Sequence, residues 1–438
     1  MAMTYEEAVR WLKELPPFVP RTLAPGEDPF SLEAIRELLK RLGDPQERLH
    51  FIHVTGTNGK GSTCAYLAQI LTNAGFRTGL YTSPAIERIN ERIRIGAEQI
   101  PDEAFARVVE KVRGVCLNMQ ADGAPFPSEF EQVTAAAFLY FLENACDPVI
   151  LEVGLGGRVD ATNVIPAPLL AVFTPIGMDH TESLGNTLEK IAREKSGIIK
   201  HGSVVLTCPQ EKEVLQVLRE RAKEEGAAYY EAFMPEVSRF SLDGQTFYMN
   251  CEGSGELSFF TSMCGAYQVK NAALAVQAAV LLRKYGYEIS DTVLRSGIAQ
   301  TVWPGRFEIL EKRPYLIADG SHNPHGVRSL AESLERLFPD RKILFITGVM
   351  ADKSYEEMMR QIVPLAGHVY TVTPPSVRGL PAEELAVCIR RLGAEAEPCR
   401  DVPDALLKAK SGAEEEDVIC AFGSLSFIGE VRSCRTGQ

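Results

Sequence analysis

The sequence predicts an α/β protein of two domains, each with a mostly parallel sheet covered by helices. Short apolar runs alternate with helical stretches in two separate parts of the chain, a pattern typical of parallel strands joined by crossover helices. The length of 438 residues also exceeds what a single hydrophobic core usually serves. Between the two parts, Val302-Trp303-Pro304-Gly305 interrupts the pattern, so we expect domains at residues 1–302 and 303–438.

Four runs in the first part predict buried parallel strands. Each is almost continuously apolar and is followed by Gly, Pro, Thr or Ser, as expected of strands that helices cover on both faces. The runs are Leu49–Val54, Thr78–Tyr81, Val149–Val153 and Leu169–Thr174. Because the carboxyl ends of parallel strands share one edge of a sheet, we expect ligand-binding residues at that edge.

The pattern changes to alternation at about 203–263, which predicts a small antiparallel subdomain. Within it, Asp243-Gly244 separates Arg239–Ser241 from Thr246–Tyr248, a signal typical of a hairpin. The expected N-terminal domain is therefore a parallel sheet that carries an antiparallel addition.

The second part again alternates strands and helices, which predicts a smaller, Rossmann-like α/β C-terminal domain. A helix at Tyr267–Tyr285, followed by Gly286, precedes the boundary. The strand candidates beyond it are Tyr315–Ala318, Lys342–Thr347, His368–Thr373 and Asp417–Ala421.

The composition, 45% hydrophobic and 24% charged, is that of a globular protein. No apolar run approaches the roughly 20 residues that cross a bilayer, and Glu6, Glu7 and Glu14 argue against an N-terminal targeting peptide. The ten cysteines form no CxxC pair, which argues against a disulfide framework or a zinc site. We expect a cytoplasmic protein with no membrane partner.

The formal net charge of −12 argues against nucleic acid as a partner, because nucleic-acid binders usually carry a basic domain or stripe. Any anionic substrate must therefore meet a local positive site. Since the sequence shows no coiled-coil heptads, we expect a monomer.

A phosphate-binding loop is predicted at Gly56-Thr57-Asn58-Gly59-Lys60-Gly61-Ser62-Thr63, between a predicted strand and a helical stretch. Glycines let backbone N–H groups close around phosphate oxygens, the helix N-terminus adds partial positive charge, and Lys60 reaches the terminal phosphates. The loop is a shortened P-loop, because Val54 stands at the usual first Gly position and Gly61 separates Lys60 from the hydroxyl pair. A kinase, a GTPase switch, an ATPase motor and a ligase all remain open.

Three residues at the same predicted edge are candidate Mg²⁺ ligands. Glu152 ends an apolar strand, so its carboxylate should lie beside the phosphate loop. Mg²⁺ that bridges phosphates needs such a ligand; a glutamate facing water is the alternative. His180 follows the next strand and its turn, and a structural histidine fits equally well. Ser83 follows a strand end, although a Ser-Pro turn needs no function.

Lys195 lies in the helical stretch Thr187–Lys200, where the pattern alone indicates a solvated lysine.

Nine sequence blocks extend these signals through both predicted domains. They are HVTGTNGKGST (53–63), TSP (82–84), SEFE (128–131), LEVGLGGRVDATN (151–163), MDHTESLGNTLEKIAREKSGI (178–198), NAALA (271–275), WPGRFE (303–308), DGSHNP (319–324) and FGSLSFIGEV (422–431). In this order the blocks resemble the Mur ligase superfamily, and specifically its folylpolyglutamate synthase family with the bifunctional dihydrofolate synthase form.

The resemblance implies an ATP-dependent ligase that adds L-glutamate to dihydropteroate or a reduced folate through an acyl phosphate. It implies ATP contacts from the phosphate loop and from Asn271, Arg306 and Asp319. It makes Ser83, Glu152 and His180 the ligands of Mg²⁺ and Lys195 a carbamylated lysine. The catalytic residues that it implies are Lys60, His180, Lys195 and His322.

The resemblance also implies a substrate site. Ser424, together with His322, would line the glutamate and reaction site. The pterin-side pocket would be formed by Ser128, Glu129, Phe130, Glu131, Val159, Asp160 and Ala161. Asp160 is suited to hydrogen-bond a pterin ring.

Two alternatives stay open. One is a Mur-type ligase that acts on a cell-wall precursor, although the SEFE and VDATN blocks favour a pterin. The other is a nucleotide-driven switch without ligase chemistry. The chain also departs from the family pattern at Ala85, where a His usually follows Ser-Pro, and at Ser354, where a second Asp usually follows Met-x-Asp-Lys.

Overall fold

The N-terminal part is built on one eight-stranded sheet; the computed structural model describes residues 2–15 and 31–436 of the chain. Its elements are α1 (Tyr5–Glu14), α2 (Glu33–Arg41), β1 (Phe51–Thr55), α3 (Lys60–Asn73), β2 (Gly79–Tyr81), β3 (Ile93–Ile95), β4 (Glu98–Gln99), α4 (Asp102–Ala121), α5 (Glu129–Glu143), β5 (Val149–Glu152), β6 (Leu170–Phe173), α6 (Thr181–Leu184), α7 (Leu188–Ser196), β7 (Val204–Thr207), α8 (Lys212–Glu224) and β8 (Ala228–Glu231). The strand order is β4-β3-β2-β5-β1-β6-β7-β8. The β2–β3 and β3–β4 pairs are antiparallel, and the other pairs of this sheet are parallel. The predicted parallel sheet is confirmed.

Strand β1 and helix α3 hold the phosphate loop between them. All five residues of β1 are buried, since it lies between β5 and β6. Helix α3 is buried along most of its length because it packs against the sheet and against two later helices, α9 (Ala266–Leu282) and α10 (Asp291–Gln300). A helix enclosed in this way needs no polar face, which explains its apolar and small residues.

The antiparallel subdomain is smaller than the sequence predicted. It consists of β9 (Glu236–Ser241), β10 (Gly244–Cys251) and β11 (Gly255–Thr261), in the order β11-β10-β9. The predicted range of about 203–263 was wrong over its first half, because β7 and β8 are parallel strands of the main sheet. Strand β8 lies at the sheet edge with mostly exposed side chains, so its sequence lacks the apolar run of a buried strand. The hairpin is confirmed, since Ser241 lies opposite Gly244.

The C-terminal part is a smaller α/β unit around a six-stranded sheet, as predicted. Its elements are β12 (Glu308–Lys312), β13 (Tyr315–Asp319), α11 (Pro324–Leu337), β14 (Ile343–Thr347), α12 (Tyr355–Ile362), β15 (Ala366–Thr371), α13 (Ala382–Arg391), β16 (Ala396–Pro398), α14 (Val402–Ser411), β17 (Val418–Phe422) and α15 (Leu425–Thr436). The order is β12-β13-β17-β14-β15-β16, with β12 antiparallel and the others parallel.

The predicted boundary between residues 302 and 303 falls between α10 and β12. The ranges 1–302 and 303–438 include residues 1, 16–30, 437 and 438, which lie outside the described part of the chain, and both ranges stay predictions. Over residues 2–15 and 31–436, every helix is too short or too polar to cross a lipid bilayer.

Gly297 provides a test of the packing that fixes α3. A Cβ atom there would lie 2.6 Å from the Cα atom of Ile70, on the buried side of α3. We expect Gly297→Ala to lower the free energy of unfolding by about 1–3 kcal/mol, because the two helix backbones must separate. The midpoint of denaturation in urea measures the change.

Gly114 is the matched control, since it also lies inside a helix but has open space within 4 Å of the position that a Cβ atom would take. Gly114→Ala should raise stability by roughly 0.5–1 kcal/mol through helix propensity alone. Stabilisation by both substitutions would contradict the tight contact between α10 and α3.

Candidate active site

The carboxyl ends of four neighbouring strands bring the candidate residues together. Strands β2, β5, β1 and β6 lie side by side in that order. Ser83 follows β2, Glu152 ends β5, the phosphate loop follows β1, and His180 follows β6. The sheet therefore places the predicted metal ligands on the same edge as the predicted nucleotide site.

The glycines of the phosphate loop make room for two close approaches. Gly56 has a φ of 150°, and a Cβ atom there would lie 1.9 Å from Thr174 Oγ1. Gly59 has a φ of 86°, and its Cβ atom would lie 2.4 Å from Asn271 Oδ1. No residue with a side chain fits either position, so the loop packs directly against β6 and against the helix that carries Asn271.

Lys60 and Gly61 begin helix α3. Lys60 Nζ donates hydrogen bonds to the carbonyl oxygens of Gly56 and Thr57, at 3.1 and 3.2 Å, so the ammonium group lies over its own loop. A Cβ atom on Gly61 would lie 3.0 Å from Trp303 Nε1 and 3.5 Å from Glu152 Oε2. The extra glycine of this shortened loop therefore allows the Trp303 indole to pack on the helix start.

Both hydroxyl residues that follow Gly61 are buried. Thr63 Oγ1 has no hydrogen-bond partner among the described residues, while its backbone N–H donates to the Gly59 carbonyl. A buried hydroxyl without a partner is rare in folded proteins. Its position in the first turn of α3 is consistent with a ligand that completes the site.

Glu152 is a buried carboxylate, only 6% exposed. Its Oε2 accepts a hydrogen bond from the Ser83 backbone N–H at 3.2 Å. Burial raises the pKa of Glu152, and Lys60, the Ser83 N–H and Arg306 oppose this effect. The alternative of a glutamate facing water is wrong, and a carboxylate in such surroundings gains from a nearby cation.

His180 begins a short helix in the left-handed region, with a φ of 50°. Its side chain is 43% exposed, and partial desolvation lowers its pKa to about 4; Asp179 opposes the shift, and Lys353, Lys60 and Lys195 reinforce it. The imidazole is therefore neutral at physiological pH and has a lone pair for a cation.

Lys195 is buried, which corrects the solvated lysine that the pattern alone indicated. It lies on α7, whose other face is exposed, and a short amphipathic helix gives no sequence signal for which of its lysines faces inward. Its Nζ donates to the Gly56 carbonyl at 2.9 Å. Burial and the neighbouring Lys60 lower the pKa of Lys195 to about 7.

The donor set fits a magnesium ion that protein and nucleotide hold together. No three His, Cys, Asp or Glu side chains converge into a complete metal site within the described ranges. Ser83, Glu152 and His180 can supply a hydroxyl, a carboxylate and an imidazole from one sheet edge. Mg²⁺ commonly takes one or two carboxylates and completes its shell with phosphate oxygens and water.

The second domain reaches this edge through the segment around Arg306 and Asp319. Arg306 and Glu152 line the same small cleft between the two parts of the chain. Asp319 is 1% exposed and accepts hydrogen bonds from Tyr267 Oη at 2.5 Å, from Phe307 N at 2.8 Å, and from the backbone and hydroxyl of Ser321. Its carboxylate thus fixes the backbone beside Arg306, and its contact with ATP stays a prediction.

His322 and Ser424 occupy different surroundings. His322 Nδ1 lies 2.8 Å from the Gly320 carbonyl, and burial, with Lys353, lowers its pKa to about 4. Ser424 Oγ accepts the Phe427 N–H at 3.3 Å and so caps α15. The cap explains this serine structurally, and its contact with glutamate stays a prediction.

Two sets of contacts between the domains were not predicted. Lys353 Nζ forms a buried ion pair with Asp179 Oδ1 at 2.7 Å, and Asn323 Nδ2 donates to Asp179 Oδ2 at 2.8 Å. Asn58, in the phosphate loop, lies 3.1 Å from Asn323 and 2.9 Å from His325 Nδ1. These partners are more than a hundred residues apart in sequence, so no local pattern could reveal them.

A cavity of about 1000 Å³ opens beside the same sheet edge. Its lining contains every predicted pterin-side residue, namely Ser128, Glu129, Phe130, Glu131, Val159, Asp160 and Ala161. Ser83 and Pro84 line both this cavity and the small cleft that Glu152 and Arg306 share. The cavity and the cleft beside the phosphate loop therefore adjoin at Ser83 and Pro84.

The polar groups of the SEFE block have structural partners. Ser128 and Glu131 form a capping box at the start of α5, with Ser128 N and Oγ both 2.8 Å from Glu131 Oε2. Glu129 pairs with the buried Arg92 at 2.7 Å, and the Arg92 guanidinium lies 5.2 Å from the centre of the Phe130 ring. Arg92 was missed, because its segment carries no ligand-binding pattern.

Comparison with known proteins supports the predicted family. The chain matches the Mur ligase middle domain over residues 54–279 and the Mur ligase, glutamate ligase domain over residues 305–425. It is similar to the dihydrofolate synthase/folylpolyglutamate synthase of Bacillus subtilis, with 36% identity over 440 residues that cover 99% of each protein.

Two solved structures extend the similarity to the whole fold. An FPGS-AMPPCP-folate complex has a TM-score of 0.86 at 33% identity, covering 99% of this chain and 100% of the other. The Escherichia coli FolC protein in complex with DHPP and ADP has a TM-score of 0.84 at 29% identity, covering 98% and 97%.

The low pKa of Lys195 predicts a pH-dependent stability. Because the folded pKa is about 7 and an unfolded lysine titrates near 10.4, the unfolded chain binds the extra proton between these values. This contribution to stability therefore rises with pH from about 7 towards 10. In bicarbonate-free buffer, the denaturation midpoint of the wild type relative to Lys195→Met should increase between pH 7 and 9.

Lys212→Met is the control, since it removes an exposed lysine at the start of α8. A wild-type advantage over Lys195→Met that stays constant across this range would show that Lys195 is not held in a desolvated site.

Proposed function

Because the chain belongs to the folylpolyglutamate synthase/dihydrofolate synthase family of ATP-dependent Mur-type ligases, we propose that it adds L-glutamate both to dihydropteroate and to reduced folates. One observation carries the proposal: the large cavity and the cleft beside the phosphate loop share Ser83 and Pro84. A substrate whose ring system lies in the cavity can extend its carboxylate to the terminal phosphate of ATP.

The proposed reaction has two steps. The substrate carboxylate attacks the γ-phosphorus of ATP, the bond to the β-phosphate oxygen breaks, and ADP and an acyl phosphate form. The glutamate amine then attacks the acyl carbon, phosphate leaves, and an amide remains. Lys60 stabilises the negative charge of the transferring oxygens, and Arg306 approaches the same space from the second domain. Mg²⁺ would be held by Ser83, Glu152 and His180, and the bound ion would neutralise charge on the phosphates of ATP.

His322 presents a neutral imidazole nitrogen that can contact the amine in the second step. Its Nδ1 lies against the Gly320 carbonyl, so this nitrogen carries the proton and Nε2 is left with a lone pair. With a pKa of about 4, the ring is neutral at physiological pH. We propose that His322 Nε2 accepts a hydrogen bond from the glutamate amine and so orients it for attack, while the proton released on amide formation passes to the departing phosphate, which is the stronger base.

Lys195 is proposed to be carbamylated. Carbamylation joins the unprotonated amine to CO₂ and releases a proton, and a pKa of about 7 leaves much of the amine unprotonated at neutral pH. The product is an anion at Lys195, next to the ammonium group of Lys60.

We further propose that the protein acts in the cytoplasm as a monomer, with the break at Pro304-Gly305 as the hinge between its domains.

An activity assay separates this proposal from its rivals. Release of ADP and phosphate should require ATP, glutamate and either dihydropteroate or tetrahydrofolate together. Lys60→Met should lower kcat by about 100-fold or more, because the charge on the transferring phosphate loses its closest cation. Turnover with a uridine-nucleotide precursor instead would support a cell-wall ligase, and hydrolysis that is indifferent to glutamate would support a switch protein.

Asp160 should distinguish the two acceptor substrates. It lines the cavity and is 6% exposed, so its loss removes a charged hydrogen-bond acceptor from the proposed pterin site. We expect Asp160→Ala to reduce kcat/KM for dihydropteroate roughly 10- to 100-fold, with a far smaller effect on tetrahydrofolate. Initial rates with each substrate provide the measurement, and equal losses would defeat the assignment.

A further inference from the structure

A buried chain of hydrogen bonds connects the central strand to the wall of the large cavity. His53 Nε2 lies 2.8 Å from Thr162 Oγ1, and Thr162 Oγ1 lies 2.5 Å from Asp160 Oδ1. His53 and Thr162 are fully buried, while Asp160 lines the cavity. Neither His53 nor Thr162 has a role in the proposed reaction or lines the cavity.

The direction of each hydrogen bond follows from the number of protons available. An ionised Asp160 carboxylate only accepts hydrogen bonds, so the single proton of the Thr162 hydroxyl points to Asp160. The hydroxyl oxygen then accepts from His53, which fixes the tautomer with its proton on Nε2. In agreement, His53 Nδ1 has no partner in the described part of the chain. Burial, with Lys200, lowers the pKa of His53 to about 3, so the ring is neutral.

Both ends of this chain are held rigidly. His53 lies in β1, paired on both sides within the sheet. At the other end, Asp160 Oδ1 also accepts the Thr162 N–H at 3.0 Å, and Oδ2 accepts the Leu155 N–H at 2.9 Å. Lys200 Nζ donates to the Asn163 carbonyl at 2.9 Å and so fixes the single turn that carries Thr162. The carboxylate therefore has little freedom to rotate.

The fixed carboxylate shares the cavity wall with an aromatic ring. A Cβ atom on Gly154 would lie 2.7 Å from Phe130 Cζ and 3.2 Å from Asp160 Oδ2, so ring and carboxylate flank this glycine. Phe130 and Asp160 both line the cavity, so a flat heteroaromatic ligand in contact with the ring would also lie within reach of the carboxylate. Ring N–H and amino groups of such a ligand are matched donors for the carboxylate.

We propose that His53 and Thr162 are positioning residues that orient the Asp160 carboxylate for an N–H-rich heteroaromatic ring, and that they thereby set the affinity for dihydropteroate. The inference rests on the proposed function, since it concerns the same cavity. It adds that recognition at Asp160 depends on a histidine in the strand that also leads into the phosphate loop. The two residues act on the ring through Asp160 and touch neither ATP nor the reacting carboxylate.

The Thr162 hydroxyl provides the sharpest test. Thr162→Val keeps the shape and removes the hydroxyl, and we expect KM for dihydropteroate to rise about 10-fold. Values of kcat and of KM for ATP should stay within about twofold, because the phosphate loop is unchanged. Thr162→Ser keeps the hydroxyl and should restore the KM for dihydropteroate to near the wild-type value.

Thr371→Val is the matched control for stability. Thr371 is also a fully buried threonine, and its hydroxyl donates to the Ala382 carbonyl at 2.8 Å, within the second domain. Both valine variants should lower the denaturation midpoint, but only Thr162→Val should change KM for dihydropteroate. This comparison separates a positioning role from a general loss of stability.

The histidine is tested by its own pair of variants. His53→Gln can still present an amide N–H to Thr162, whereas His53→Leu cannot. We expect His53→Leu to raise KM for dihydropteroate and His53→Gln to retain most of the affinity. His53 and Thr162 act through the same carboxylate. The double variant His53→Leu/Thr162→Val should therefore raise KM for dihydropteroate by clearly less than the product of the two single fold-changes.

The outcomes separate the inference from the proposed function. If the wild type incorporates glutamate into dihydropteroate but Thr162→Val leaves KM unchanged, or Thr162→Ser fails equally, the positioning role is refuted. A parallel loss of kcat and ATP affinity in the soluble, folded variant would refute it as well. If the wild type neither converts nor binds dihydropteroate in equilibrium titration, the proposed function fails first and the inference fails with it.

Discussion

Two lysine ammonium groups meet at one carbonyl oxygen, and the rest of the site depends on this convergence. The Gly56 carbonyl accepts hydrogen bonds from Lys60 and Lys195 at 3.1 and 2.9 Å. Burial, and then repulsion from the Lys60 charge, lower the pKa of Lys195 to about 7. In a chain with a net charge of −12, Lys60 supplies local positive charge for a triphosphate, and the proposed carbamylation of Lys195 would remove the repulsion between the two amines. Gly56 can hold its carbonyl in this position because it lacks a side chain, which would otherwise clash with Thr174.

The second domain completes this site with polar contacts that favour one arrangement over others. The Asp179–Lys353 pair has side chains only 8% and 11% exposed, and such pairs repay their desolvation only when the geometry is good. Breaking the pair by removing one partner would leave the other charge buried and unpaired, so the pair favours the arrangement in which the domains meet here. Asn323 binds both Asp179 and Asn58, so the same residue contacts the segment before His180 and the phosphate loop. The same residue therefore helps to align the second domain and to hold Asn58 in the phosphate loop.

The sequence predicted what depends on short-range constraints. Strand ends, the phosphate loop and Glu152 follow from apolar runs and from glycines whose spacing has a local reason, and the structure places all of them on one edge. The antiparallel range was too wide because an exposed edge strand such as β8 lacks the apolar run of a buried one. The pattern indicated a solvated Lys195 because burial on α7 depends on what packs against it, which no local pattern contains.

The contacts that could not be predicted join residues that are distant in sequence. The SEFE block at residues 128–131 combines such contacts with local ones. Ser128 and Glu131 satisfy each other as a helix cap, which a serine followed three residues later by glutamate signals by itself. The two residues between them, Glu129 and Phe130, instead face Arg92 and the cavity. One helical turn therefore fixes the backbone through its cap, while all four of its residues line the cavity. A substitution at either end would therefore change the cavity in two ways, directly at its wall and through the orientation of the helix start.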